Sequence, residues 1–372
     1  MKSFLCEDSM ELTNYWWLLI WPFLGGAIFS NMPKRRELVA GKMVERSQPL
    51  YAFLLVLPYI IWAGYRGWVG DTAAYRNGFL NASANLLQIP GLFAARVKDP
   101  GYDALVIVLK LFLGNQDKVF FLLIAAFQMI CMMMVFRKYS DNYWICILLF
   151  VASGGYMAWM MNGMRQFIAV TAIFACFDWM VQKKYIPLII AILLASTIHQ
   201  SALIMIPIVF MVQGEAWNIK TIFMLGITAA IMMFTDRFLP ILEDLLQNTQ
   251  YDNAVNNMTD DGTNAIRVLV ASVPTLLSLF GLKYIRHANS RVINLCVNYS
   301  IFTMAISLIS MVTSGIYIGR LPIYTTLYGY VVLPWMINRI FERRSAQFVT
   351  YAMIVMYCLF FYYQMGVAWN YL

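Results

Sequence analysis

The sequence predicts an all-α, polytopic transmembrane bundle of about 12 spans, and three observations predict it. The chain is 61% apolar and 12% charged over 372 residues, with a mean hydropathy of +0.65. A soluble domain is nearer half apolar and about a quarter charged. Apolar runs recur from one end of the chain to the other, and no stretch between them has room for a soluble domain of ordinary size, about 100 residues. The chain therefore reads as one integral membrane domain over residues 1–372.

A span needs about 20 apolar residues, fewer where a cavity is carved into one side. Runs of that kind cover 12–30, 49–64, 119–136, 143–161, 166–182, 185–199, 201–213, 220–236, 265–285, 292–312, 319–337 and 346–366. The pair 185–199 and 201–213 can also be read as one long bent helix. The stretch 104–114, following Asp99-Pro100-Gly101, is too short to span and reads as a re-entrant or interfacial helix. Two loops are long, 65–118 and 237–264.

Orientation follows from the Lys/Arg bias. With the N-terminus outside, the inner loops collect Lys34, Arg35, Arg36, Lys42, Arg46, Arg137, Lys138, Lys183, Lys184, Lys220, Lys283, Arg286, Arg291, Arg339, Arg343 and Arg344. They hold only five acids, Glu37, Glu45, Asp141, Glu215 and Glu342. Both long loops then lie outside. This distribution accounts for the net charge of +8 as topology, and it argues against nucleic-acid binding. Lys2 is followed by Glu7, Asp8 and Glu11, so a basic signal-peptide n-region is not expected.

Cys131, Cys146, Cys176, Cys296 and Cys358 fall inside apolar runs, where a thiol packs as a small hydrophobe. Cys6 lies in a polar end, and no disulfide framework is expected. There is no Walker A motif, no H-E-x-x-H, no Asp-x-Asp and no G-x-S-x-G. With two histidines in the chain, no metal or cofactor is expected.

Chemistry must then rest on charges beside the spans, and the topology puts these on one side. Tyr65-Arg66-Gly67-Trp68-Val69-Gly70-Asp71-Thr72, with Tyr75 following, allows a tight turn that can present amides to an anion. Arg66 could grip a phosphate, and Asp71 could orient it or act as a base. The alternative is an interfacial aromatic–Arg belt with Asp71 as a helix cap. Asn162-Gly163-Met164-Arg165-Gln166 puts Arg165 at the start of a helix, against the positive end of the dipole. A bound anion would relieve that conflict.

In Ser196-Thr197-Ile198-His199-Gln200-Ser201, His199 can exchange a proton near neutral pH, although a lone histidine is commonly a structural hydrogen-bonder. Arg320, in Gly315-Ile316-Tyr317-Ile318-Gly319-Arg320-Leu321-Pro322, and Arg267 open helices as Arg165 does, or they snorkel to headgroups. Asp178 could relay a proton but reads more simply as a partner of Lys183 or Lys184, and His287 as a solvated charge. Asn248, Tyr251, Asp252, Asn253, Asn256, Asn257, Asp260 and Asp261 in the second long loop could contact carbohydrate or be ordinary loop residues. Four arginines and a histidine on one face suit an anionic, phosphate-bearing substrate.

Tyr65-Arg66…Gly70-Asp71…Tyr75, Asp99-Pro100-Gly101-Tyr102, Gly163-Met164-Arg165-Gln166…Ala169 and His199-Gln200-Ser201-Ala202-Leu203 occur in an order that resembles the EpsG-type, Wzy-like polysaccharide (O-antigen) polymerase family. Spacing agrees over residues 50–215, Arg320-Leu321-Pro322 also fits, and 215–310 matches only in hydropathy. Asp99 stands where the family pattern has Glu. The resemblance implies a GT-C-like or Wzy-like membrane scaffold and a metal-independent glycosyltransferase of exopolysaccharide or lipopolysaccharide synthesis. It would move a growing glycan from undecaprenyl diphosphate onto a lipid-linked repeat unit at the outer face of the bacterial cytoplasmic membrane. Arg165, His199 and Asp71 become catalytic candidates, and Arg66, Arg320, Arg267, Tyr75 and Gln166 substrate-binding candidates. The lipid-linked oligosaccharide, membrane lipid and a chain-length regulator are the candidate partners. A ligase on the same scaffold and a polysaccharide flippase are the alternatives.

Overall fold

The computed structural model describes residues 12–67, 69–95, 97–235 and 262–369, together with 237, 241 and 244. Cys6, the acidic N-terminus, Trp68 and the polar residues Asn248 to Asp261 lie outside the described residues. The chain is an all-α membrane protein, and every apolar run anticipated from sequence contains a helix. Among the described residues, three helices are long and apolar enough to cross a bilayer, or five if each of two bent pairs counts as one span, and six further apolar helices have 10–17 residues. Contacts group the chain into two compact units, residues 1–203 with 347–372, and residues 204–346.

The first unit opens with α1 (Leu12–Phe29), a hairpin of β1 (Lys34–Val39) and β2 (Lys42–Ser47), and α2 (Pro49–Gly64). The hairpin was hidden in what reads from sequence as a basic loop. Its turn is Ala40-Gly41, both at positive φ, which matches the twist of the flanking strands. Then come α3 (Thr72–Asn81), α4 (Ile89–Ala94), α5 (Pro100–Leu113) and α6 (Asp117–Tyr139). The long loop 65–118 is thus largely helical, and α5 is the short helix expected after Asp99-Pro100-Gly101.

At 23 residues α6 is about 34 Å long, enough for a hydrocarbon core of about 30 Å. It packs on α2 and, further along the chain, on α8 (Met164–Ala175). Between them α7 (Tyr143–Ala152) is followed by a wide-turn segment, Tyr156–Asn162, at a 75° bend. Gly154, at φ +78°, makes the break, so 143–161 is not one straight span. A break at membrane depth needs its freed carbonyls satisfied from within the protein. The run 166–182 divides into α8 and α9 (Phe177–Val181), and α10 (Tyr185–Ile198) ends at His199. A 3-10 turn, Gln200–Ile204, follows, so the continuous bent helix considered for 185–213 does not form.

The second unit is built around the helix Arg291–Val312, which packs on Ala265–Phe280, Ile323–Ile340 and Ile219–Met233. Several of its buried polar groups pair internally. Asn298 donates to Val212 O and Glu215 O at 2.8 and 3.0 Å, the Thr303 and Thr325 hydroxyls lie 2.8 Å apart, and Tyr299 stacks on Tyr328.

Candidate active site

Glycine decides how the site is assembled. Gly101, in the first turn of α5, lies so close to Thr197 at the end of α10 that a Cβ there would collide with its side chain. That close approach sets Asp99, just before α5, beside His199, just after α10. Asp99 holds a left-handed backbone, φ +55° and ψ +52°, immediately before Pro100. Such strain is costly outside glycine and occurs where surrounding structure enforces it.

The Asp99 side chain is 1% exposed and has three donors around it. Gln200 N lies 3.3 Å from Oδ1, while His199 Nδ1 and Arg165 Nη1 lie 3.3 and 3.4 Å from Oδ2. Burial pushes the Asp99 carboxyl up, but the hydrogen bond and charge of His199, the Arg165 guanidinium and the Gln200 amide outweigh it. The net effect holds Asp99 below the usual carboxylate range. An ionised carboxylate only accepts, so the His199 proton belongs on Nδ1 and the Nε2 lone pair is left for a substrate.

Arg165 joins this group to a cavity of about 420 Å³. Its guanidinium carbon lies 5.3 Å from the Tyr102 ring centre and 5.8 Å from that of Tyr75. The two rings meet edge to face at 6.2 Å. Asp71, Tyr75, Ser83, Tyr102, Asp103 and Arg165 supply the functional groups of the lining, with small and aliphatic residues between them. A buried apolar cluster that includes Phe79, Val106, Phe120, Phe121 and Met164 stands behind it. Burial raises Asp103 above the ordinary carboxylate range, against the pull of Arg165 and with the help of Asp99. Asp71 precedes α3, makes no side-chain capping bond, and donates through its backbone N to Asn162 Oδ1 at 3.0 Å. Gly70, at φ +54°, allows this docking, because a Cβ there would lie 2.8 Å from the same oxygen.

Arg66 is placed elsewhere. It is 3% exposed, lies over Phe121 with the guanidinium carbon 4.1 Å from the ring centre, and donates to Met160 O at 2.7 Å and Met161 O at 3.4 Å. These are carbonyls of the bent segment, so Arg66 satisfies the broken helix rather than facing the cavity. Burial pulls its pKa down to about 10, still a cation at neutral pH. No carboxylate pairs with it among the described residues, and its Nε is buried without a partner. Gln166 is also buried and lies outside the cavity lining.

Arg267 and Arg320 belong to the second unit. There Thr263 N donates to Ser310 O at 2.9 Å, and a Cβ on Gly319 would lie 2.5 Å from Thr263 Oγ1. The starts of Ala265–Phe280 and Ile323–Ile340 therefore share one end of that unit, and both arginines sit at it. Sequence reasoning passed over Asp103, and met Asp99 and Tyr102 only as motif residues. The signal was present: Asp99 and Asp103 stand four apart at a Pro-initiated helix start, which puts both on one face.

At the opposite end of α6, Arg137 reaches both oxygens of Glu37 at 3.0 and 2.9 Å. Asp178 pairs with Lys138 at 2.5 Å and with the Tyr139 hydroxyl, correcting the expectation of Lys183 or Lys184. Neighbouring turns explain the expectation, but packing of α6 brings a closer donor.

No curated protein and no solved structure matches the chain. The family model described as EpsG family matches residues 50–370, a range that takes in the Asp99–His199–Arg165 group, the cavity and both second-unit arginines. The chain belongs to the EpsG family.

Proposed function

We propose that the protein is a polysaccharide polymerase. It transfers a growing glycan from undecaprenyl diphosphate to the non-reducing-end sugar of a lipid-linked repeat, at the outer face of the bacterial cytoplasmic membrane. One observation carries this reading: a histidine held by a buried carboxylate stands beside a half-exposed arginine at the edge of a cavity. In this reaction Asp99 keeps the proton on His199 Nδ1, and Nε2 accepts the proton of the attacking hydroxyl. As the hydroxyl oxygen bonds to the anomeric carbon, the bond from that carbon to the diphosphate oxygen breaks. Arg165 meets the charge that develops on the departing diphosphate, where a fixed cation in a water-poor site helps most. Guanidinium charge does here what a metal ion does in other glycosyl transfers.

Arg66 serves this site by position, tying down the segment that leads into Arg165. Arg267 and Arg320 are further candidates for phosphate contact, and a chain-length regulator is a candidate partner. The location of the group supports an enzyme over a flippase. Arg165 lies at the start of α8 and His199 at the end of α10, whereas transporters bind near mid-span. A ligase would share the donor chemistry and differ in acceptor.

The test is electrophoresis of the surface polysaccharide from cells that supply lipid-linked repeats. Arg165→Ala and His199→Ala are expected to leave single-repeat products with the protein still in the membrane. Lysine at position 165 should restore little, because a point charge cannot replace a planar fork. Polymer of wild-type length from either alanine variant would remove the site.

A further inference from the structure

The cavity next to Arg165 carries the wrong charge for a diphosphate. Two carboxylates, Asp71 and Asp103, line it against one guanidinium, and that guanidinium already faces a third carboxylate, Asp99. A diphosphate pushed inside would meet two like charges in a partly enclosed wall. A neutral ring bearing hydroxyls would not. Its hydroxyls donate to carboxylates, which only accept. Its C–H face suits the edge-to-face pair Tyr75 and Tyr102, and Val106 and Ile107 line the same space.

We infer that this cavity is a subsite for an uncharged sugar ring, and that Asp71 and Asp103 make it reject sugars bearing a carboxylate or phosphate. The inference rests on the polymerase reading and sharpens it. The diphosphate stays at the Arg165–His199 edge, the cavity takes a ring of the repeat unit, and the repeat carries an uncharged sugar at that position. Uronic acids and phosphate-substituted sugars are directed away from it.

The experiment uses the full chain in lipid nanodiscs, free of sugar-headed detergent, with methyl glucoside, methyl glucuronide and methyl glucosaminide as probes in saturation-transfer NMR. The glucoside is expected to bind, and the glucuronide at least about tenfold more weakly, the scale of one like-charge contact in a half-exposed wall. The double substitution Asp71→Asn with Asp103→Asn keeps the side-chain shapes and should bring the two ligands to within about twofold of each other; Asp103→Asn alone should do so in part. Gly78→Phe tests location. Gly78 lines the cavity, and a Cβ there meets nothing within 4 Å, so the added ring enters open space and should abolish the glucoside signal in a protein with unchanged elution and unfolding temperature.

Equal binding of glucuronide and glucoside by the wild type would overturn the subsite. So would glucosaminide binding more than about tenfold tighter than glucoside, a glucoside signal that survives Gly78→Phe, or no glucoside signal at all. Polymer formation is scored separately. Charge-selective glycoside binding without polymer removes the polymerase reading and keeps the subsite, while polymer without charge selection does the reverse.

Discussion

The two ends of α6 handle charge differently. At the hairpin end, Arg137 grips Glu37 with two bonds of 3.0 Å or less and also donates to Ser47 O at 2.9 Å. Arg46 donates to Lys138 O at 2.8 Å. Those cations are committed to the protein. At the cavity end, one buried carboxylate is shared among three donors, none nearer than 3.3 Å. Long and shared contacts are common in unliganded catalytic groups, which tighten when substrate arrives. Tightness is not excluded there, since Arg76 pairs with Asp117 at 2.7 Å. An arginine's role thus follows from what already occupies its guanidinium, and not from its place beside a span.

Arg165→Ala or His199→Ala should cut chain extension by about 10²–10⁴-fold, whereas Arg137→Ala should leave it within a small factor. Equal losses at the two ends, measured on the same membranes, would mean that the ends do not differ in function. Asp99→Asn comes next. The amide can present its N–H to His199 Nδ1 and so favour the wrong tautomer, which should lower turnover at least about tenfold with little change in apparent KM.

Arg66→Ala should act on stability rather than on chemistry. It strips the donor from two carbonyls of the bent segment and should cost about 2–4 kcal/mol of stability, read as a lower unfolding temperature in nanodiscs. Arg66→Lys should recover part of this. An unchanged unfolding temperature with lost activity would return Arg66 to direct substrate contact.

The smallest effect is at the hairpin. Arg137→Ala should cost about 1 kcal/mol once solvent screening is allowed for. The pH dependence gives the sign. The Arg137 hydrogen bond, opposed by burial and joined by the charges of Arg137, Arg35 and Lys138, holds Glu37 below its ordinary value. A carboxyl whose pKa is lower folded than unfolded adds stability that is fully present above the unfolded value, about 4.3 for Glu. That stability is lost as pH falls through the folded value. Glu37→Gln should therefore lower stability at neutral pH and flatten the acid side of the stability profile. A Glu37→Gln profile parallel to the wild type would dissociate this pair from acid unfolding.

Residue patterns alone locate the helices, because a backbone in lipid must satisfy itself and apolar runs announce where it does so. They also separate the basic end from the other end of the first unit, and they single out Arg165 and His199 through breaks in the runs. They do not reveal the 34–47 hairpin, whose residues read as a solvated charged loop. Of Asp103 they hold only its spacing of four from Asp99; its meaning comes from the neighbours that α3 and α8 bring to it.

Composition and periodicity thus determined the helical membrane architecture and the short list of charges, since both depend on local free energies of burial and hydrogen bonding. Only the tertiary structure sorted that list. Arg66 and Arg165 each flank a break in an apolar run, yet one caps carbonyls in the interior and the other looks onto a cavity. The physical reason is that a charged or polar side chain's partners here lie up to about a hundred residues away, as Met160 and Met161 do for Arg66 and Asp99 does for His199. Such distances close only through packing.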